Sequence, residues 1–187
     1  MAFEQAGGIN VNPNYNSNDS RYKKNCQACI GVFEARLRGY NIEALPYSQE
    51  THQLLEYYPE KMFIEPETKL GAKFDFIDVK NNNDLEQYLE TNVKIGERYM
   101  FRFLPKNSST AHVVSMYRDE KGNLVFYDVM AGQTYGKEFM KNFSYKYKKR
   151  HKSVPYRPSI LRTDNKLLNI TMLSKVSQPC SKSRSGI

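Results

Sequence analysis

The stretch that most narrows what this chain can fold into is residues 111–130, AHVVSMYRDEKGNLVFYDVM. Two runs rich in β-branched and aromatic residues flank the triplet Glu120-Lys121-Gly122. A three-residue hairpin loop needs its last residue in a left-handed conformation, and Gly122 is the residue type that adopts it at little cost. Such a loop fixes the register. Residues pair symmetrically about Lys121, so Asp119 faces Asn123, Val114 faces Asp128 and His112 faces Met130. Facing residues share one side of a sheet, as do residues two apart, which makes His112 and Asp128 diagonal neighbours on one face. A two-residue loop would shift the pairing by one and send them to opposite faces. Residues 97–105, ERYMFRFLP, alternate in the same way, so the second half is read as mainly antiparallel sheet.

The first half is read as helical. Asn25 is a favoured N-cap type, and Cys26, Cys29, Ile30, Phe33 and Leu37 recur on one helix face. Glu34 and Arg38 form an i,i+4 pair, and Gly39 falls where a terminating glycine belongs. YNIEALP reads as a short strand ended by Pro46. SQETHQLLEYYP and NNNDLEQYLETN read as short helices, with KFDFIDVK extended between them. YGKEFMKNF reads as a further helix, SYKYKKRHKS as a basic run, and PSILRTDNKLLNITMLSKVS as a last strand or short helix. Residues 1–20 hold the Gly-, Asn- and Ser-rich GGINVNPNYNSNDS and are read as a flexible arm or linker; 179–187 are read as a disordered tail. The expectation is one α+β domain over residues 21–178.

Several classes drop out. No run approaches the roughly 18 apolar residues of a membrane helix, and no apolar signal segment follows Met1. Three cysteines cannot all pair internally, which argues against a disulfide framework and for a reducing site of action. The net charge of +8 favours acidic partners or nucleic acid. The run 145–152, YKYKKRHK, is either a solvated basic face or a docking surface where Tyr stacks and Lys and Arg meet phosphate.

The cysteines raise the chemical question. A thiol in the first turn of a helix feels the positive end of the dipole and unpaired backbone N–H groups, both of which favour the reactive thiolate. Cys26 has that placement; Cys29, one turn further in, is expected to be packed. Other readings are plain core packing, a redox pair or a zinc half-site. A thioredoxin-like redox pair follows a strand, and here a polar arm precedes it. Zinc would need further ligands from distant segments, so no metal is assigned. A nucleophile needs a base and an orienting group. Of His52, His112 and His151, only His112 sits on a rigid element with a carboxylate placed beside it.

NCQACIGVFEARLRGYNIEALP followed by AHVVSMYRDEKGNLVFYDVMAGQ resembles the papain-fold toxins described as glutamine deamidase-like, found in bacterial polymorphic toxins. Related domains end phage minor head proteins, whose tail ILRTDNKLLN resembles. The shared features are Asn-Cys opening a helix that ends in Arg-Gly, a His opening a strand, an Asp after the turn, and a closing Gly-Gln, here Gly132-Gln133. The resemblance spans roughly 20–178. It implies a papain-like fold with the catalytic helix packed on the sheet, Cys26 as nucleophile with Cys29 the alternative, His112 as base and Asp128 as orienting acid. Asn25 and Gln133 are the supporting candidates, Asn25 for its side-chain amide at the oxyanion. The family often has Gln soon after the acid, whereas Gln133 lies five residues on. The chemistry implied is acyl transfer without a cofactor, on a protein substrate: glutamine deamidation by a toxin or effector, or proteolysis by the same three residues. An immunity protein would be the further partner. The site of action would be cytoplasmic, a target cell after delivery, or a virion. A phage head-associated or nucleic-acid-binding module with inert cysteines is the alternative.

Overall fold

The computed structural model describes residues 10–149 and 152–180. In chain order its helices are α1 (Cys26–Leu37), α2 (Gln49–Tyr57), α3 (Asn82–Asn92) and α4 (Ile170–Val176). The strands are β1 (Ile42–Ala44), β2 (Phe63–Ile64), β3 (Asp75–Phe76), β4 (Arg98–Phe103), β5 (His112–Arg118), β6 (Leu124–Asp128), β7 (Gln133–Tyr135), β8 (Lys146–Lys149), β9 (Lys152–Pro155), β10 (Ser159–Arg162), β11 (Leu167–Leu168) and β12 (Ser177–Pro179). The protein is α+β with a mainly antiparallel sheet. Among the described residues no helix is long and apolar enough to cross a membrane. The chain divides into two compact units: Met1–Gly71 with Val129–Gly132 and Lys166–Ile187, and Ala72–Asp128 with Gln133–Asn165.

The first unit is built on α1. Its ending is set by sequence: Gly39 takes φ +92°, and the Gly39 and Tyr40 N–H groups donate to the Arg36 and Ala35 carbonyls, closing a Schellman motif. The single apolar stripe expected of this helix is too narrow a description. Ala28, Gly31, Val32, Glu34 and Ala35 are buried as well as the stripe, so the helix is enclosed on nearly every side. The enclosed Glu34 carboxylate accepts from Arg38 at 3.4 Å, which offsets the cost of burying it. Packed against α1 are β1, α2, α4 and the 3-10 turn Pro59–Met62. Asn169 ties α4 to that turn: it caps Met172 N–H through Oδ1 and donates through Nδ2 to the Lys61 carbonyl.

Within the stretch read as a flexible arm, the structure calls for a narrower bound. Val11 is fully buried and its carbonyl accepts from Ala44 N–H at 2.8 Å, while Asn12 is 1 % exposed. A lone valine between polar residues is enough to anchor the segment once a strand edge takes its backbone. Residues 1–9 lie outside the described residues. In the expected tail, Pro179 pairs with Ile42 and Cys180 N–H donates to the Asn41 carbonyl; residues 181–187 lie outside the described residues.

The second unit centres on a six-stranded antiparallel sheet in the order β3-β10-β4-β5-β6-β7. One face carries Tyr99, Phe101, Phe103, Val114, Met116, Leu124 and Phe126, which pack with Leu85 and Leu89 of α3 and with Phe139 and Phe143. The stretch YGKEFMKNF forms a 3-10 helix, Lys137–Asn142, which delivers Phe139 to this aromatic core. Arg118 joins α3 to the hairpin: its guanidinium donates to the Val93 and Leu89 carbonyls at the helix end, to Gly122 O and to the Glu90 carboxylate. A cation at a helix C-terminus meets the negative end of the dipole, so the hairpin is held where the sheet needs it.

The hairpin has the loop its sequence prescribes. Ser115 pairs with Tyr127, Met116 with Phe126, Tyr117 with Val125 and Arg118 with Leu124, symmetrically about Lys121. Gly122 takes φ +81°. Asp119 accepts the Lys121 and Asn123 N–H groups and the Asn123 side-chain amide, and these bonds, led by the Asn123 side chain, hold its carboxyl below the usual range.

Candidate functional site

The two halves of the sequence-predicted site have different local origins. Cys26 opens α1 and Asn25 precedes it, both in the first unit; His112, Asp128 and Gln133 belong to the second.

In the second unit, β5 begins at His112 and β6 ends at Asp128, so both side chains stand at one end of the sheet. The symmetric register puts them on the same face. His112 Nε2 lies 2.9 Å from Asp128 Oδ2, with the two side chains 16 % and 14 % exposed. The Phe103 ring, paired with His112 across the ladder, meets the imidazole edge to face at 5.6 Å. The imidazole is therefore fixed by a carboxylate at one nitrogen and an aromatic wall at its side. The roles follow the tautomer: with the proton on Nε2, Asp128 accepts it and Nδ1 is the basic nitrogen of the ring.

Gln133 comes to the same place by a route its sequence spacing obscures. The turn Val129–Gly132 folds β7 back on β6, and Gln133 becomes the ladder partner of Asp128. Five residues of separation along the chain are adjacency in the sheet. Gln133 is exposed, and its Oε1 accepts from the Tyr135 hydroxyl.

In the first unit, Cys29 N–H donates to the Asn25 carbonyl as the first helical bond, which makes Asn25 the N-cap by position. Its side chain does not cap. Fully buried, its Nδ2 donates to the Leu45 carbonyl at 2.8 Å, and its Oδ1 accepts from Cys29 Sγ at 3.5 Å and Asn12 Nδ2 at 3.4 Å. Asn25 thus works as a brace beneath the start of α1. Cys26 keeps 6 % of its surface while Cys29 keeps none, so Cys26 is the one of the pair at the edge of the packing. Cys26, Cys29 and Cys180 are all thiols.

Asn12 was not legible as a site residue. It is 1 % exposed, and its Nδ2 donates to the Tyr22 and Met130 carbonyls as well as to Asn25. It therefore braces both the segment entering α1 and the turn that follows Asp128 in the chain. The only signal was an Asn beside a lone valine.

The other histidines resolve differently. His52, expected on a polar helix, is 1 % exposed: its Nδ1 accepts from Ser48 N–H at 3.2 Å and lies 2.7 Å from Thr51 Oγ1, and burial holds its pKa below the usual histidine value. His151 lies outside the described residues. Among the described residues no group of three or more His, Cys, Asp or Glu side chains is arranged to hold a metal ion. Compared with protein-family models and with curated proteins, the chain finds no match in either.

Proposed function

We propose that the protein is a papain-like cysteine amidohydrolase that deamidates glutamine side chains of target proteins, acting as a toxin or effector in a reducing compartment. The observation that carries this reading is the 2.9 Å bond between His112 Nε2 and Asp128 Oδ2 at the mouth of the sheet. It is supported by a cysteine in the first turn of a helix, braced by Asn25 and Asn12, and by the residue pattern shared with glutamine deamidase-like toxins. The reading requires Cys26 Sγ and His112 Nδ1 to come within hydrogen-bond reach in the working enzyme.

In the proposed cycle His112 Nδ1 takes the Cys26 proton, and the thiolate attacks the carboxamide carbon of a glutamine side chain. The C=O electron pair moves to oxygen. Backbone N–H groups of the first turn of α1 are the donors available for that oxyanion, since Asn25 is committed to Leu45. The imidazolium then protonates the amide nitrogen, the C–N bond breaks, ammonia leaves and a thioester remains. Water gives a proton to His112, its oxygen attacks the thioester, and collapse releases glutamate and the thiolate, which recovers the proton. Asp128 holds the ring in the tautomer both proton transfers need and stabilises the imidazolium. Gln133, the ladder partner of Asp128, is the candidate for steadying the carboxylate side of the dyad.

The test is intact-mass analysis of target-cell proteins incubated with the wild type and with Cys26→Ala. The expected product carries the mass rise of exchanging NH2 for OH, at glutamine, only with the wild type. Fragments in its place would make the enzyme a protease of the same fold. Neither change, with Cys26→Ala indistinguishable from wild type, would end the enzyme reading.

A further inference from the structure

From Lys146 on, the described residues of the basic run, absorbed by none of this chemistry, form strands. Residues 146–149 and 152–155 form a separate two-stranded ribbon, β8 paired with β9. Lys146 and Lys148, two apart on β8, share one face and are exposed, as is Lys152 on β9. Tyr145, immediately before the ribbon, lines a pocket of about 410 Å³ together with Phe143, Lys80, Lys106 and the amides of Asn81, Asn82 and Asn83. Lys80 and Lys106 are exposed at this pocket, and among the described residues neither side chain forms an ion pair. The Tyr145 hydroxyl donates to Asn82 Oδ1 at 2.6 Å, which fixes the ring as part of the wall. Asp84 lies beside this pocket: its carboxylate accepts from the Lys80 N–H and the Asn81 amide, two of the lining residues, so its charge is engaged by hydrogen bonds at the start of α3.

We infer that the pocket and ribbon of the second unit form one surface that binds single-stranded nucleic acid, with a base held in the pocket and phosphates on the lysines. The chemistry of the walls selects this partner. The half-buried Tyr145 ring offers a base a stacking surface, Asn82 Nδ2 and the exposed Asn83 amide can meet a base edge, and Lys80, Lys106, Lys146 and Lys148 meet the backbone. An acidic peptide would use the lysines and leave the aromatic and amide groups without a function. Only a base splayed out of a helix can lie on Tyr145 and turn its edge to these amides, which selects single strands over duplex. None of Cys26, His112 and Asp128 belongs to the pocket lining or the ribbon, so the inference does not rest on the proposed chemistry.

Fluorescence anisotropy of the full chain with labelled single-stranded oligonucleotide, the matching duplex and poly-glutamate tests it without any turnover. Single strands should bind tightest. Four phosphate contacts predict a fall of about fiftyfold in affinity between 50 and 200 mM salt, from a slope near −0.7 per contact. Lys146→Glu with Lys148→Glu should weaken binding by about tenfold or more, Lys146→Arg with Lys148→Arg should retain it, and Lys80→Ala with Lys106→Ala should narrow the preference for single strands. All these side chains are exposed, and circular dichroism of each variant verifies the fold. Absence of binding at 50 mM salt, duplex bound as tightly as single strand, or poly-glutamate bound equally with the same sensitivity to the variants would each overturn the inference.

Discussion

One methyl group added at Gly31 tests the packing that seats the cysteine helix. An ideal Cβ at Gly31 would lie 2.5 Å from Met62 Cγ, 2.6 Å from Sδ and 2.7 Å from Cε. Carbon atoms rest at about 3.5–4.0 Å, so the thioether would have to retreat by roughly 1 Å. Met62 is fully buried and has no solvent to swing into. Overpacking of this kind costs about 1–3 kcal/mol. The opposing term is helix propensity, which favours Ala over Gly by about 1 kcal/mol in a helix interior. Gly31→Ala should therefore gain none of the stability that helix propensity alone would add, and lose up to about 2 kcal/mol in urea denaturation. Met62→Val makes room for the methyl, so the double variant should be more stable than the sum of the singles predicts, with a coupling of about 1 kcal/mol or more. Gly31→Ala about 1 kcal/mol more stable than wild type, or an additive cycle, would show that α1 and the Pro59–Met62 turn do not pack as described.

Other outcomes follow from single residues. The unfolded chain protonates His52 near pH 6.5, whereas burial delays this in the fold; below that pH the unfolded state binds more protons, and stability falls with falling pH by up to about 1.4 kcal/mol per unit. The loss stops once the folded-state pKa is passed, and His52→Gln should flatten the slope measured by urea denaturation between pH 7.5 and 5.5. Asn25→Ala removes the side-chain donor to the Leu45 carbonyl and should cost about 1–3 kcal/mol by the same assay. Gly122→Val should cost about 1–2 kcal/mol from backbone strain alone, because its φ is +81° and no atom lies within 4 Å of the added Cβ.

What could be read beforehand was local chemistry with one solution. The Glu120-Lys121-Gly122 loop has few ways to close, so the β5–β6 register, and with it the meeting of His112 and Asp128, followed from the residues. The end of α1 was equally explicit in Gly39. What could not be read depends on partners distant in sequence. Nothing in GGINVNPNYNSNDS says that a strand edge at Ala44 will take Val11, or that Asn12 will reach Met130. His52 looked solvated among polar neighbours because Leu55 is the only other residue of α2 that is buried. KFDFIDVK yielded only the two-residue β3, and the basic run became a paired ribbon, since strand identity there depends on finding an edge rather than on composition. Gln133 lay too far along the chain from Asp128 until β7 was seen to fold back.

The central claim is that Cys26 is a nucleophile activated by the His112–Asp128 pair. Brief alkylation with iodoacetamide at pH 6.5, quantified at each cysteine by peptide mass spectrometry, measures it directly in wild type, His112→Ala and Asp128→Asn. The expected result is preferential labelling of Cys26 over Cys180, which is more exposed, falling about tenfold or more in His112→Ala and by a smaller factor in Asp128→Asn. Cys26 labelled no faster than Cys180, or at one rate in all three proteins, would contradict it.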